Sequence, residues 1–89
     1  MNPPPYLSEC DPESRTFPLD WKWAYYRLAG GIDEGFFCPM CNRRFVGLDL
    51  SGFEELHGDH VVSWKRGGRT TWDNLQLLCG PCNWKKSGG

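Results

Sequence analysis

The sequence predicts a small α+β domain that a metal ion holds together. Three observations support this fold class: two C-x-x-C pairs, an apolar segment of strand length in the last third, and helical segments near both ends. At 89 residues the chain has room for one domain. A core of this size is marginal in stability, so we expect an additional staple.

The proline-rich segment 1–18 is predicted to be an irregular arm rather than a packed element, either disordered or a wrapping strand. A short helix is expected from Asp20 to Ala29, with Asp20 as its N-cap and Gly30-Gly31 as its stop. Four aromatic residues in it are too many for one buried stripe. We expect most to pack in the core, although a partner or nucleic-acid bases could contact some. They are Trp21, Trp23, Tyr25 and Tyr26.

Two short strands joined by a metal-binding turn are predicted around the first cysteine pair. Phe36-Phe37 leads into Cys38-Pro39-Met40-Cys41, and Phe45-Val46 leads out of it. A turn of this kind brings two sulfur atoms to one metal ion. Residues 48–52 are then expected to form a connection.

A second hairpin and a terminal helix are predicted in the last third. Residues 54–63 are expected to form a strand that ends near the candidate site. The following loop passes through Lys65-Arg66-Gly67-Gly68, where glycine permits a tight turn. Residues 75–78 suit the core strand of a hairpin with the first strand, and Pro81 suits the first turn of a helix.

The two cysteine pairs predict a structural zinc site formed by Cys38, Cys41, Cys79 and Cys82. Four thiolates bind Zn²⁺ tetrahedrally and leave no position for a substrate. One or two disulfides, or a redox pair, are the alternatives. Because metal binding would contribute to folding, zinc removal is expected to unfold the domain.

The sequence contains no signal peptide and no apolar run that could span a membrane, which favours a reducing, cytoplasmic compartment without a membrane partner. The formal net charge is -1, but the charge is uneven. Five basic and ten acidic residues precede His60, whereas five basic and one acidic residue lie from His60 onward. The positive part suits a polyanionic substrate, although charged residues are often only a solvated surface.

Polar residues of the last third have the types that a one-metal phosphodiesterase site needs. Asp59 and Asn83 offer oxygen to one divalent cation, and oxygen ligands favour Mg²⁺ or Mn²⁺ over Zn²⁺. His60, with an unperturbed pKa of about 6.5, can accept a proton from water near neutral pH. Lys86 shares a helix face with Asn83 and would reach the same phosphate.

In this order and spacing, the residues resemble those of the HNH endonuclease family, which has a ββα-metal fold. The resemblance covers roughly residues 36–86, and Asn83 stands where the third motif residue is usually His, as in an HNN variant. It implies a nuclease domain at 19–89 with its ββα-metal core at about 54–87. It also implies hydrolysis of DNA, expected to be double-stranded, with 5′-phosphate and 3′-hydroxyl products.

The resemblance further implies roles for residues around the centre. Asn74 would brace the loop that orients His60, which suits an amide that both donates and accepts hydrogen bonds. Three basic residues would contact flanking phosphates: Arg66, Arg69 and Lys85. Many relatives carry Glu at the position of His57. We interpret His57 as a strand residue, although a substrate contact or a third metal group are alternatives.

Adjacent residues of a regular strand point to opposite faces, so Asp59 and His60 can serve one phosphate only if the strand ends or bends there. Gly58 could permit such a bend. Three nearby tryptophans are expected mostly to pack under the zinc, with Trp84 the best candidate for contact with substrate. They are Trp64, Trp72 and Trp84.

The principal hypothesis is therefore a metal-dependent DNA endonuclease or nicking enzyme. One alternative is a zinc-stapled module that binds nucleic acid without chemistry, and another is a protein interaction module that uses the aromatic helix. One site makes one nick, so a double-strand break would need a homodimer or two encounters. The scarcity of positive charge before His60 leads us to expect targeting by a partner, a second copy or a fused domain.

Overall fold

Two helices and two antiparallel hairpins make up the regular structure of residues 1–49 and 53–86, which the computed structural model describes. This arrangement confirms the predicted α+β class. The elements are α1 (Leu19–Leu28), β1 (Phe36–Phe37), β2 (Arg44–Phe45), β3 (Leu56–His60), β4 (Leu75–Cys79) and α2 (Gly80–Lys86).

Helix α1 begins one residue before the predicted start. Its N-cap position is held by Pro18, in an extended conformation that leads into the helix. The prediction that Asp20 caps the helix is wrong, because both carboxylate oxygens of Asp20 accept hydrogen bonds from Ser8 of the arm, each at 2.8 Å. The helix ends at Leu28, and Gly30 (φ +94°) then reverses the chain, as predicted from Gly30-Gly31.

The first hairpin pairs Phe36 with Phe45, one residue earlier than the second strand was predicted to lie. Its turn is closed by a hydrogen bond from the Cys38 amide to the carbonyl of Arg43 at 2.9 Å. Asn42 occupies the left-handed region (φ 64°), which asparagine tolerates better than most residues. The turn thereby places two cysteines on one side of the hairpin.

The second hairpin carries Asp59 and His60 of the sequence-predicted site and is shorter than expected. Strand β3 pairs with β4 from Leu56, opposite Cys79, to His60, opposite Leu75. The predicted strand 54–63 ends at His60 because the amides of the next two residues bond to Asn74 instead of continuing the ladder. Residues 50–52 of the predicted connection 48–52 lie outside the described residues.

The core forms where α1 packs against β4. Tyr26, Leu77 and Leu78 are fully buried, and aromatic rings surround Tyr26. The Tyr26 hydroxyl donates to the carbonyl of Gly31 at 2.8 Å and accepts from the amide of Leu48 at 3.2 Å. The remaining aromatic residues of α1, Trp21, Trp23 and Tyr25, pack against this core. Packing therefore accounts for the aromatic character of the helix.

Residues 1–18 wrap the domain without forming a helix or strand. The Trp21 indole donates to the carbonyl of Ser8 at 2.7 Å, and the Trp72 indole donates to the carbonyl of Met1 at 2.9 Å. Phe17 is buried in the core. The arm thus wraps the domain, but not as the strand that was one of the two expectations, and Phe17 packs in the core contrary to the prediction of an unpacked arm. In the described part of the chain, none of the helices has the length and apolar character that a membrane crossing requires.

Candidate active site and zinc site

The four paired cysteines come together between the two hairpins. One pair lies in the β1–β2 turn and the other where β4 passes into α2, and the four sulfur atoms lie within 4.8 Å of one another. The Sγ atoms of Cys41 and Cys79 are 3.6 Å apart, too far for a disulfide. Tetrahedral Zn–S bonds separate sulfur atoms by about 3.8 Å, so the cluster fits zinc.

Thiol pKa values in this cluster move in opposite directions. Burial alone would raise the pKa of Cys38, but backbone amides of Cys79, Cys41 and Met40 lower it to about 6. The pKa of Cys82 rises to about 12, first because its thiol shares a hydrogen bond with Cys79 and then because burial and the neighbouring sulfurs disfavour another negative charge. A cation is therefore needed before Cys82 can join the cluster as a thiolate, as a zinc site requires.

Asp59 is the centre of a second polar cluster, which includes three of the sequence-predicted site residues. Its Oδ2 accepts from Lys86 Nζ at 2.6 Å, and its Oδ1 lies 3.5 Å from Nδ2 of Asn83. Helix α2 follows β4 directly, and this connection brings its polar face over β3. The fold thus places together Asp59, Asn83 and Lys86.

Gln76 is a member of this cluster that the sequence analysis missed. It pairs with Asp59 across the hairpin, and its Nε2 donates to Oδ2 of Asp59 at 2.8 Å. Gln76 interrupts the otherwise apolar strand Leu75–Cys79. That lone polar residue was the signal that could have identified it.

The His60 imidazole lies on the other face of β3. Its Nε2 is 2.8 Å from Oγ1 of Thr70, and its ring centroid is 4.6 Å from that of Phe17 and 5.9 Å from that of Trp64. Side chains therefore diverge at this strand end, as alternation predicts. Asp59 and His60 are nevertheless linked, because Lys86 Nζ also donates to the backbone carbonyl of His60 at 2.7 Å.

Burial is the main cause that lowers the pKa of His60 below its ordinary value. The negative charge of Asp59 opposes this shift, whereas the positive charges of Lys86 and Arg15 add to it. The imidazole is consequently neutral near neutral pH, the state that a proton acceptor requires.

Gly58 does not bend the strand, contrary to prediction. It pairs in regular register with Leu77, and its φ lies outside the left-handed region. A Cβ atom at this position would lie 2.8 Å from Cδ of Lys22 and 3.5 Å from Cβ of Phe17. A larger residue here would therefore displace the Lys22 side chain, which lies close to β3 at this point. His57, by contrast, is exposed on β3. Its Nε2 lies close to the start of α2, 3.4 Å from the position that a Cβ atom at Gly80 would occupy.

Asn74 closes the loop between the two strands. Its Oδ1 accepts from the amide of Val62 at 2.8 Å, and its Nδ2 donates to the carbonyls of Val62 and Arg69 at 3.1 and 2.8 Å. Gly68 lies against this junction, since a Cβ there would be 1.7 Å from the carbonyl oxygen of Val62. The hydrogen bonds of Asn74 thus connect the two sides of the loop, as a bracing role would require.

A basic cleft of about 680 Å³ opens beside Asp59 and Lys86. Trp64 forms part of its wall, and the guanidinium carbons of Arg15 and Arg69 lie 5.0 and 4.6 Å from the centroid of the Trp64 ring. Arg66 also lines the cleft. Arg15 was not predicted as a site residue, because only tertiary folding brings the arm to this position.

Three further predicted residues lie at the edges of this region. Lys85 is exposed on α2, and Trp84 is 65% exposed, as expected of a residue that could contact substrate. Trp72 instead packs against Trp21 and Tyr25 of α1, with ring centroids 6.3 and 5.9 Å apart. Its role is therefore in packing.

Comparison with known proteins gives one positive result. The model of the HNH endonuclease family matches residues 38–89, more than half of the chain. No curated protein and no solved structure matches the chain. The matched segment contains both cysteine pairs, the second hairpin and α2, whereas the arm and α1 precede it.

Proposed function

The chain belongs to the HNH endonuclease family, and from this premise we propose that it is a metal-dependent DNA endonuclease or nicking enzyme with structural zinc. The observation that carries the proposal is the meeting of Asp59, Asn83 and Lys86 beside the basic cleft. A module that only binds nucleic acid has no need of a half-buried carboxylate in a cleft whose other charged residues are basic.

Asp59 and Asn83 are the residues that would hold a divalent cation. The Asp59 side chain is only 15% exposed, and the cation that neutralises it is the ammonium group of Lys86. A carboxylate that needs a positive partner, next to an amide that can offer oxygen, fits Mg²⁺ or Mn²⁺. When bound, such an ion would polarise the scissile phosphate and neutralise charge on the leaving oxygen.

His60 would act as the general base, with the scissile phosphate lying across the end of β3, because the side chains of Asp59 and His60 leave opposite faces of that strand. Its neutral imidazole takes a proton from water while the water oxygen bonds to phosphorus and the bond from phosphorus to the 3′-oxygen breaks. The leaving oxygen then acquires a proton from solvent. The products are a 5′-phosphate and a 3′-hydroxyl. Asn74 supports this step indirectly, by fixing the loop that follows His60.

The basic residues around the cleft would hold the DNA backbone. Lys86 would contact the scissile phosphate, and Arg66, Arg69 and Lys85 would contact flanking phosphates. Because this surface is small, we expect double-strand cleavage to require a second copy of the chain or two encounters. We also expect targeting to depend on a partner or fused domain.

Plasmid nicking in Mg²⁺ or Mn²⁺ tests the proposal. The zinc-loaded wild type should nick supercoiled plasmid, and His60→Ala should cut more slowly by about 10²- to 10⁴-fold, the usual contribution of a general base. His57→Ala is the matched control, since it removes the other histidine of the same strand from an exposed position.

Equal cutting by the wild type and His60→Ala would reject the assignment of the base. DNA binding without cutting by the wild type would favour the module that binds nucleic acid without chemistry. The absence of both cutting and DNA affinity would favour a protein interaction module.

A further inference from the structure

Thr70 connects the N-terminal arm to the candidate general base. It is the fully buried polar residue of the described ranges 1–49 and 53–86. Its hydroxyl donates to the backbone carbonyl of Ser14 and lies 2.8 Å from Nε2 of His60. Its amide donates to the carbonyl of Pro12 at 3.0 Å. The side-chain hydroxyl and the backbone amide of Thr70 are therefore both held by the arm.

The hydrogen-bond roles in this chain follow from the groups themselves. A backbone carbonyl can only accept, so the single hydroxyl proton of Thr70 must point to Ser14. The Thr70 oxygen can then only accept from His60, which means that Nε2 of His60 carries a hydrogen. A neutral imidazole has one N–H, so Nδ1 holds the unshared electron pair.

We propose that Thr70 is a positioning residue that, together with the Ser14 carbonyl, holds His60 as the Nε2–H tautomer and makes Nδ1 the proton-accepting nitrogen. The role of Nδ1 rests on the proposed nuclease function, whereas the tautomer itself does not. Thr70 acts through His60 and need not touch DNA.

Several contacts hold the arm segment 12–17 in the position that this role requires. The Phe17 ring packs on the His60 ring at 4.6 Å, which fixes the ring plane. Glu13 pairs with Arg69 at 3.2 Å, one residue before Thr70. The segment that orients the base therefore lies outside residues 38–89, the part that matches the family model. The arm is thus a component of the active site.

Nitrogen-15 NMR of the full, zinc-loaded chain without an added divalent cation tests the tautomer directly. The chain has two histidines, so a His57→Gln variant assigns both sets of signals. At a pH where His60 is neutral, we expect the proton on Nε2 and an unprotonated Nδ1. A proton on Nδ1 in the wild type would overturn the proposal.

Two variants of Thr70 separate positioning from packing. Thr70→Val keeps the shape but lacks the hydroxyl, and we expect the His60 signals to shift towards a mixture of both tautomers. Thr70→Ser retains the hydroxyl and should keep the wild-type pattern. An unchanged tautomer in a folded Thr70→Val variant would contradict the role of Thr70. If Thr70→Val fails to fold, the wild-type and Thr70→Ser spectra decide.

Cleavage kinetics provide the second measurement. Thr70→Val should lower kcat by about 10-fold or more, but by less than His60→Ala. The imidazole is still present in this variant, and it is in the wrong tautomer only part of the time. KM for DNA should not change, and Thr70→Ser should restore kcat. A wild type that shows the Nε2–H tautomer but cuts no DNA would support the positioning role of Thr70 and reject the nuclease proposal.

Discussion

The ammonium group of Lys86 lies 2.6 Å from Oδ2 of Asp59 and joins helix α2 to the end of strand β3. The Asp59 side chain is largely shielded from solvent, whereas Lys86 is partly exposed. In this position Lys86 supplies the positive charge that a divalent cation would otherwise supply. Lys86 must therefore leave Asp59, at least in part, when the proposed cation binds.

Replacing Lys86 by Met should strengthen cation binding and weaken catalysis. Loss of the competing ammonium group should tighten Mn²⁺ binding by roughly fivefold, equivalent to about 1 kcal/mol for an ion pair of this kind. Cleavage should nevertheless slow, because the proposed phosphate contact is gone. Calorimetric titration with Mn²⁺ and plasmid nicking measure the two effects. Lys85→Met, next to it but exposed, should change neither by a comparable amount.

Removal of zinc should unfold the domain. The four cysteines tie the first hairpin to the β4–α2 junction, and their sulfur atoms repel one another as thiolates without a cation. A zinc chelator should therefore abolish the far-UV circular dichroism signal of the native state. Cys41→Ser should reproduce this loss, whereas Cys10→Ser, outside the cluster, should not. A native spectrum after complete zinc removal would contradict the prediction.

Asn74→Ala should destabilise the loop between β3 and β4. The change removes three side-chain hydrogen bonds and leaves backbone groups of Val62 and Arg69 without these partners. We expect the free energy of unfolding to fall by about 2 kcal/mol. Denaturant unfolding of the zinc-loaded protein measures this. Cleavage should fall further than stability alone explains, which can be checked in conditions where the variant is fully folded.

Gly68→Ala should be more harmful than a change at the neighbouring Gly67. An added Cβ at Gly68 would lie 1.7 Å from the Val62 carbonyl oxygen and 2.9 Å from Nδ2 of Asn74, so the loop must move. Crowding of this kind costs about 1–3 kcal/mol. Gly67 has φ +91° with open space around it, so Gly67→Asn is the matched control. A Gly68→Ala variant as stable as the wild type would show that the Val62 contact is unimportant.

Alkaline conditions should reveal the burial of Tyr25. Burial raises the pKa of Tyr25 above its ordinary value of about 10, so the folded state keeps its proton at a pH where the unfolded chain loses it. The resulting stability is complete below about pH 10 and is lost as the pH rises through the folded pKa. Tyr25→Phe should therefore lose less stability than the wild type between neutral and strongly alkaline pH. Parallel denaturant titrations at both pH values measure this difference.

The features that the sequence could predict depend on local spacing. Each cysteine pair lies within a single turn, so its spacing alone predicts that two sulfur atoms meet. The apolar residues of Leu75–Cys79 predict a buried strand. Asn83 and Lys86 share a helix face at any packing of α2. These features remain recognisable without knowledge of the tertiary structure, because each depends on residues close together in the chain.

The features that the sequence could not predict arise from contacts between distant segments. Asp20 is a good N-cap residue by type, yet Ser8 binds its carboxylate. Thr70 and Arg15 belong to the site only because the arm crosses the loop after β3. Gly58 could have permitted a bend, whereas in the structure it pairs regularly and leaves room for the Lys22 side chain. No local rule encodes where an irregular arm lies.

Cys82 and Asn83 are consecutive residues of α2, so one turn of helix carries both a cysteine of the zinc site and an amide that contacts Asp59. Of the four cysteines, Cys41 is the exposed one and hence the point at which oxidants or soft heavy metals first meet the cluster. Damage at this sulfur would be transmitted through Cys82 to the position of Asn83. Oxidation of this thiol would thereby disturb the candidate site without any reagent entering the cleft.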